Sequence, residues 1–250
     1  MIELHDISQT FGNFHALRGI NLTVQEGAVT CVLGDNGAGK STLIKILAGL
    51  NQPTGGTITV DGNEVHFASP RDSLDAGIAT VYQDLALVPS LSVWRNFFLG
   101  QELTGPLGLL REEEMKRITH DQLAEMGIVL GDVSVELSAL SGGQRQVVAI
   151  ARAIYFGARY IILDEPTAAL GVKQSGMVLR FINAARERGM GVVFITHNPQ
   201  HAYLVGDHFV VLTVGEMSLD AAKADVTLPE LTQWMAGGDE LEELKQELAR

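Results

Sequence analysis

Residues 33–42 read LGDNGAGKST, which puts three glycines, one lysine and two hydroxyl side chains into ten positions. They lie between an apolar run (Val29, Cys31, Val32, Leu33) and a helix-like run (Leu43, Ile44, Ile46, Leu47). Gly34, Gly39, Lys40 and Ser41 fit the phosphate-cradling pattern G-x-x-x-x-G-K-[ST]. Glycine lets successive N–H groups turn toward one point, and the helix that follows adds the positive end of its dipole there. The chemistry this allows is the holding of a polyphosphate. The loop from Gly34 through Asn36, Gly37, Ala38 and Gly39 would surround it, with Lys40 on the β- and γ-phosphates, Ser41 on Mg²⁺ and Thr42 toward the α-phosphate. The plainer reading of these residues is a strand-to-helix turn with a surface lysine.

Two further groups could complete such a site. Residues 160–163 form an apolar run ending in Asp164 and Glu165. In a parallel sheet ligands gather at the carboxyl ends of strands, so both acids would reach the edge that holds phosphate. There Asp164 suits the Mg²⁺ shell and Glu165 suits a general base for an attacking water. Standing alone, the pair would read as a solvated strand end. Leu140-Ser141-Gly142-Gly143-Gln144 opens a helix: Ser141 is a good N-cap, and the two glycines leave the first amides uncovered as a second anion site. Read alone it is a flexible helix start.

The remaining sequence must supply the elements that position these groups. With 250 residues and 46% hydrophobic content the chain can bury a full core. Alternating residues at 2–4 and 20–24, with a turn at Gly12-Asn13, predict short N-terminal strands. Thr57–Val60 followed by Asp61-Gly62 predicts a strand entering a hairpin. A strand at 78–82 stops at Gln83, and residues 89–138 turn to helical periodicity and charge, predicting an inserted helical subdomain. Then come a helix at 142–156, a strand at 160–163, a helix at 172–188 and a strand at 192–196. This alternation predicts an α/β fold with a parallel sheet flanked by helices. The division expected is 1–88 and 139–215 for the core with its β subdomain, 89–138 for the helical subdomain and 216–250 for a tail. Leu241, Leu244 and Leu248 have helical spacing in that tail, which is assigned no function.

The net charge of −12, from 30 acidic against 18 basic side chains, disfavours nucleic acid as a partner. Cys31 is the single cysteine, so no internal disulfide forms, which suits a reducing cytosol. The first residues show no signal pattern, and no stretch nears the roughly 18 apolar residues of a membrane span. Any membrane role therefore goes through a partner.

Taken together, the phosphate loop, the I-I-L-D-E strand and L-S-G-G-Q resemble the nucleotide-binding subunits of ABC transporters over about residues 1–215. The resemblance implies a P-loop core with an N-terminal antiparallel β subdomain and an inserted helical subdomain, together with ATP and Mg²⁺. It further implies that Phe11 stacks on adenine and that Gln83 touches Mg²⁺ or the water and senses a transmembrane partner. On the same basis His197 contacts the γ-phosphate, while Ser141, Gly143 and Gln144 bind the γ-phosphate of ATP held by a second copy. The runs GIATVYQDLALVPSLSVWRNFFLGQE, AALGVKQ and ITHNPQHAY are similar to importers of simple sugars such as ribose, xylose and fructose. With one motif set, the chain is expected to pair head to tail with itself on a permease at the cytoplasmic face of the plasma membrane. An extracytoplasmic sugar-binding protein would serve it indirectly. One position departs from the pattern: Gly171 stands where many members carry aspartate. The rival readings are an ABC ATPase for another solute, a soluble ABC ATPase acting on DNA or ribosomes, and a small-molecule kinase. The first rests on the same motifs, the second would show basic patches or coiled-coil insertions, and the third has no use for L-S-G-G-Q.

Overall fold

A computed structural model describes residues 1–236, so the leucines at 241, 244 and 248 lie outside the described residues. Strands β1 (Ile2–Phe11), β2 (Phe14–Val24), β4 (Gly55–Val60) and β5 (Asn63–Val65) form an antiparallel sheet in the order β2-β1-β4-β5. A second sheet takes β3 (Val29–Leu33), β6 (Ile78–Val81), β7 (Tyr160–Asp164), β8 (Gly191–Ile195), β9 (His208–Thr213) and β10 (Glu216–Ala222) in the order β10-β9-β3-β8-β7-β6. All its pairings are parallel except β9 with β10. The α/β class with its antiparallel β subdomain is therefore the fold observed.

The interior strands of the second sheet are apolar runs because both faces are covered. Every residue of β3 and β8 is buried. Helix α1 (Lys40–Leu47) packs Leu43, Ile44, Ile46 and Leu47 into a core shared with the β subdomain, and the short α2 (Pro70–Asp75) precedes β6. Helices α6 (Val172–Glu187) and α7 (Pro199–Val205) cover the other face, with Val178, Ile182, Ala202 and Val205 buried against β3, β8 and β9. A third core joins α3 (Val93–Phe98), α4 (Glu112–Glu125) and α5 (Gly142–Tyr155). The helical region thus rests on Val147, Val148 and Ala151 of α5.

Several expectations need correction. The N-terminal strands are long, ten and eleven residues, because irregular register between Leu4 and Thr10 breaks the alternation that would have revealed them. Within 89–138, α3 ends at Phe98 and α4 begins at Glu112, with Thr104 paired to Leu110 as an isolated bridge between them. Residues from 216 do not begin as a tail. Strand β10 closes the sheet edge on β9, and α8 (Leu228–Met235) buries Leu231 completely. Its capping box between Thr227 and Glu230 makes it a formed helix. Among the described residues, no helix is long and apolar enough to cross a membrane.

Candidate functional site

Strand β3 ends in the phosphate loop, and three glycines set its path. Gly34, Gly37 and Gly39 have φ of 143°, 85° and 110°, conformations that side chains resist. A Cβ on Gly34 would lie 2.3 Å from the Leu212 carbonyl oxygen, and one on Gly39 would lie 2.7 Å from Leu17 Cδ2, whereas one on Gly37 would meet nothing within 4 Å. The loop is thus wedged between β2 and the β9–β10 turn at its ends and open at its centre. That openness is where a phosphate needs access to backbone N–H groups. Gly34→Ala is expected to cost about 1–3 kcal/mol in strain, which lowers Tm by roughly 3–10 °C for a chain of this size. Gly37→Ala should cost less. Differential scanning fluorimetry of the two variants checks the ranking.

Lys40 is 8% exposed, and its Nζ donates to the carbonyl oxygens of Gly34 and Asp35, the latter at 2.9 Å. Burial pulls its pKa down, while the charges of Glu165, Asp35 and Asp164 oppose that shift. An ammonium held on carbonyls beside two carboxylates suits an incoming polyanion, and the surface-lysine reading of this residue fails. Ser41 is exposed and Thr42 is half-buried on the first turn of α1.

The parallel register brings the other strand ends to the same edge. Val32 of β3 pairs with Ile195 of β8, Asp164 of β7 pairs with Ile195, and Val81 of β6 pairs with Leu163. Burial raises the Asp164 pKa, the Glu165 charge adds to the rise and Lys40 opposes it. Glu165 has φ 48°, a strained conformation for a residue with a side chain, and β8 holds it there. Its N–H donates to the Ile195 carbonyl at 3.0 Å. Its Oε1 lies 2.9 Å from His197 Nδ1, and its Oε2 accepts from Thr196 Oγ1 at 3.4 Å. Gln83, two residues beyond β6, is exposed. Phe11 is 47% exposed and pairs with Phe14 across the Gly12-Asn13 turn, at the tip of the β1–β2 hairpin whose Ala16 and Leu17 touch Gly39.

The L-S-G-G-Q residues stand apart from this cluster. Ser141 Oγ accepts from the Gln144 N–H at 3.3 Å and Gln144 Oε1 accepts from the Ser141 N–H at 2.9 Å, a reciprocal capping box that fixes the start of α5. Gly143 sits close against α6, where a Cβ would lie 3.0 Å from Gln174 Cβ. Among the described residues, no hydrogen bond or ion pair joins Ser141, Gly143 or Gln144 to the phosphate loop or to Asp164 and Glu165.

Three polar residues escaped the sequence reading. Thr196, fully buried, binds Glu165 and accepts from the Asn198 N–H; Thr167 and His201 join at 3.0 Å. The signal was present in ITHNPQHAY. Asn198 caps α7 by accepting from the His201 N–H, and Pro199 opens the helix, which sets His201 beside the loop after β7.

The family model described as ABC transporter matches residues 17–168. The chain belongs to the ABC transporter family. This ABC chain is 41% identical over 235 residues to the xylose/arabinose import ATP-binding protein of Sulfolobus acidocaldarius, covering 94% of this chain and 93% of that one. It is 39% identical over 237 residues to the fructose import ATP-binding protein of Rhizobium meliloti, covering 92% and 91%. A ribose import ATP-binding protein of Escherichia coli O157:H7 is 36% identical over 237 residues, and the match spans 46% of its length. Among solved structures, the dimeric post-hydrolysis state of an ATP-binding cassette bound to ADP and Pi superposes with TM-score 0.74 at 27% identity, covering 89% and 99%. The ADP conformation of another cassette gives 0.82 at 22% identity, covering 97% of both chains, and shows the fold alone.

The site fits the groups this ABC family uses. The open loop centre at Gly37 and the buried Lys40 suit a polyphosphate. The Ser41 hydroxyl, Gln83 amide and Asp164 carboxylate are hard oxygen donors of the kind Mg²⁺ takes together with phosphate oxygens. Among the described residues, no cluster of three or more His, Cys, Asp or Glu is placed to hold a metal ion.

Proposed function

We propose that this ABC ATPase powers import of a simple sugar, acting as a head-to-tail dimer on permease subunits at the cytoplasmic face of the membrane. The observation that carries the reading is the Lys40, Asp164, Glu165 and His197 cluster at one sheet edge, in a chain similar over its length to xylose/arabinose and fructose import ATP-binding proteins. The whole chain acts as one ATP-binding domain, with 89–138 as its helical part. Sugar contacts belong to the permease and to an extracytoplasmic binding protein.

In this reading the loop from Gly34 to Thr42, with Asn36, Gly37, Ala38 and Gly39, wraps the phosphates, Lys40 neutralises charge at the γ-phosphoryl group and Phe11 stacks on the adenine. Ser41, Asp164 and Gln83 would hold Mg²⁺, which would supply charge compensation to the phosphates when bound. Glu165 accepts a proton from the water that attacks the γ-phosphorus as the bond to the β-phosphate oxygen breaks, giving ADP and phosphate. The His197 ring keeps that carboxylate aimed and reaches the γ-phosphate. The loose transition state asks for positioning and charge compensation, which such an array supplies. Ser141, Gly143 and Gln144 of the second copy close the site, which accounts for their standing apart from it within one chain.

The test is uptake of labelled ribose, xylose and fructose by native cells whose chromosomal copy carries Glu165→Gln, together with recovery of a membrane permease on the purified chain. Loss of uptake of one sugar with recovery of a permease supports the reading. Normal uptake of all three sugars, or a chain recovered with ribosomes instead, overturns it. Gln83 supplies a finer check: Gln83→Ala is expected to lower uptake by roughly tenfold, an ordinary coupling energy, while the isolated chain still binds ATP. Equal losses in both assays would make Gln83 a local site residue.

A further inference from the structure

We propose that His201 is a positioning residue, whose hydrogen bond to Thr167 sets the segment that joins Glu165 to the start of α5. The proposal rests on Glu165 being the base of an ATPase. The segment 165–171 begins at Glu165 and ends against the L-S-G-G-Q helix start. A Cβ on Gly142 of α5 would lie 2.9 Å from Leu170 Cδ2, while on the other side Ser175 Oγ of α6 donates to the Leu170 carbonyl at 3.4 Å. One short stretch therefore touches the base at one end and the anion-binding helix start at the other. Displacement of its middle moves both.

Within the segment, the Ala168 N–H donates to the Glu165 carbonyl at 3.0 Å and the Leu170 N–H to the Thr167 carbonyl at 3.4 Å, yet its path is strained. Glu165 and Ala169 have φ of 48° and 56°, so neighbours must sustain the strained path. Gly171 ends it with no side chain to cap α6; its N–H donates to Gln174 Oε1 at 3.3 Å, and its carbonyl accepts from the Gln174 and Ser175 N–H groups at 2.9 Å. In the middle, Thr167 is buried and its Oγ1 lies 3.0 Å from His201 Nδ1. His201 is itself fixed, since its N–H caps onto Asn198 Oδ1 at 3.0 Å, and the Asn198 N–H donates to Thr196 Oγ1 at 3.1 Å. Thr196 in turn binds Glu165. The first turn of α7 thereby grips the segment at its origin through Thr196 and at its middle through His201. Burial and the nearby His197 lower the His201 pKa, which favours the neutral ring with one acceptor nitrogen for the threonine hydroxyl.

A double-mutant cycle tests this. Thr167→Val keeps the shape and removes the hydroxyl, and His201→Leu removes the ring nitrogens. Thr167→Ser keeps a hydroxyl, and His201→Asn keeps a polar atom near Nδ1. Each loss variant is expected to lower kcat for ATP about 5–20-fold, below the roughly 100-fold that a larger misplacement near a reacting centre can cost. KM and the binding of a fluorescent ATP analogue should stay within about twofold if the change acts on positioning alone. Thr167→Ser and His201→Asn should recover most of kcat, and the Thr167→Val/His201→Leu double variant should be no slower than the slower single, since both act through one contact. Unchanged kcat in Thr167→Val with unchanged Tm overturns the proposal, and so do losses that multiply in the double variant. Should His201→Leu fail to fold, the Thr167→Val against Thr167→Ser comparison decides. Glu165→Gln runs alongside: wild-type turnover in it refutes the base assignment, whereas its inactivity beside an uncoupled Thr167–His201 pair refutes the positioning role alone.

Discussion

Glu165→Gln is expected to lower ATP turnover by about 10²–10⁴-fold, the span associated with a lost general acid–base group. The amide preserves length and shape, so the backbone bond to Ile195 and the contacts with Thr196 and His197 have a partner of the same geometry. It removes the proton-accepting carboxylate and one negative charge beside Lys40 and Asp164. ATP binding should survive, because the phosphate loop and Lys40 are untouched. ATP bound without hydrolysis should then hold two chains together. A steady-state phosphate-release assay, with size exclusion in the presence and absence of Mg-ATP, reads both effects, and normal turnover would take Glu165 out of the mechanism.

Mixing two inactive variants is expected to restore activity. Lys40→Ala disables the phosphate loop of its own chain, while Ser141→Arg disables the helix start that a head-to-tail partner would receive. In either homodimer both sites are damaged and hydrolysis should nearly vanish. In the mixed dimer both lesions fall in one site, and the other joins an intact Lys40 to an intact Ser141. Ser141→Arg also removes the N-cap that holds the Gln144 N–H, at a cost of about 1 kcal/mol, so its melting curve belongs in the experiment. The decisive comparison uses linked dimers. One carries Lys40→Ala on the first half and Ser141→Arg on the second; the control links a wild-type half to a half with both changes, which damages both shared sites. A mixed dimer clearly faster than that control requires a shared site. Equal rates would mean either that the site is not shared or that both sites must fire together.

The phosphate loop was legible because its chemistry is local. Nine successive residues supply the turning glycines, the cation and the hydroxyls, and the conformations at Gly34, Gly37 and Gly39 are demanded within the loop itself. The Ser141–Gln144 capping box is equally local, and so are the apolar strands that end at Asp164 and near His197. Strand β10 was not legible, because a half-exposed edge strand lacks the alternation and apolar runs that mark interior strands. The long β1 and β2 show only as fragments in the sequence because their register slips.

By itself, the sequence determined which groups could do phosphate chemistry and in what order the elements that carry them follow. Only the tertiary structure decided which of those groups meet. Glu165 finds Thr196 and His197 across 31 and 32 residues, and Thr167 finds His201 across 34. The physical reason is that parallel pairing of β7 with β8 and of β3 with β8 fixes, to within one residue, which side chains leave the sheet side by side. That register comes from burying both faces of the sheet at once, a property of the packed whole that no single stretch carries.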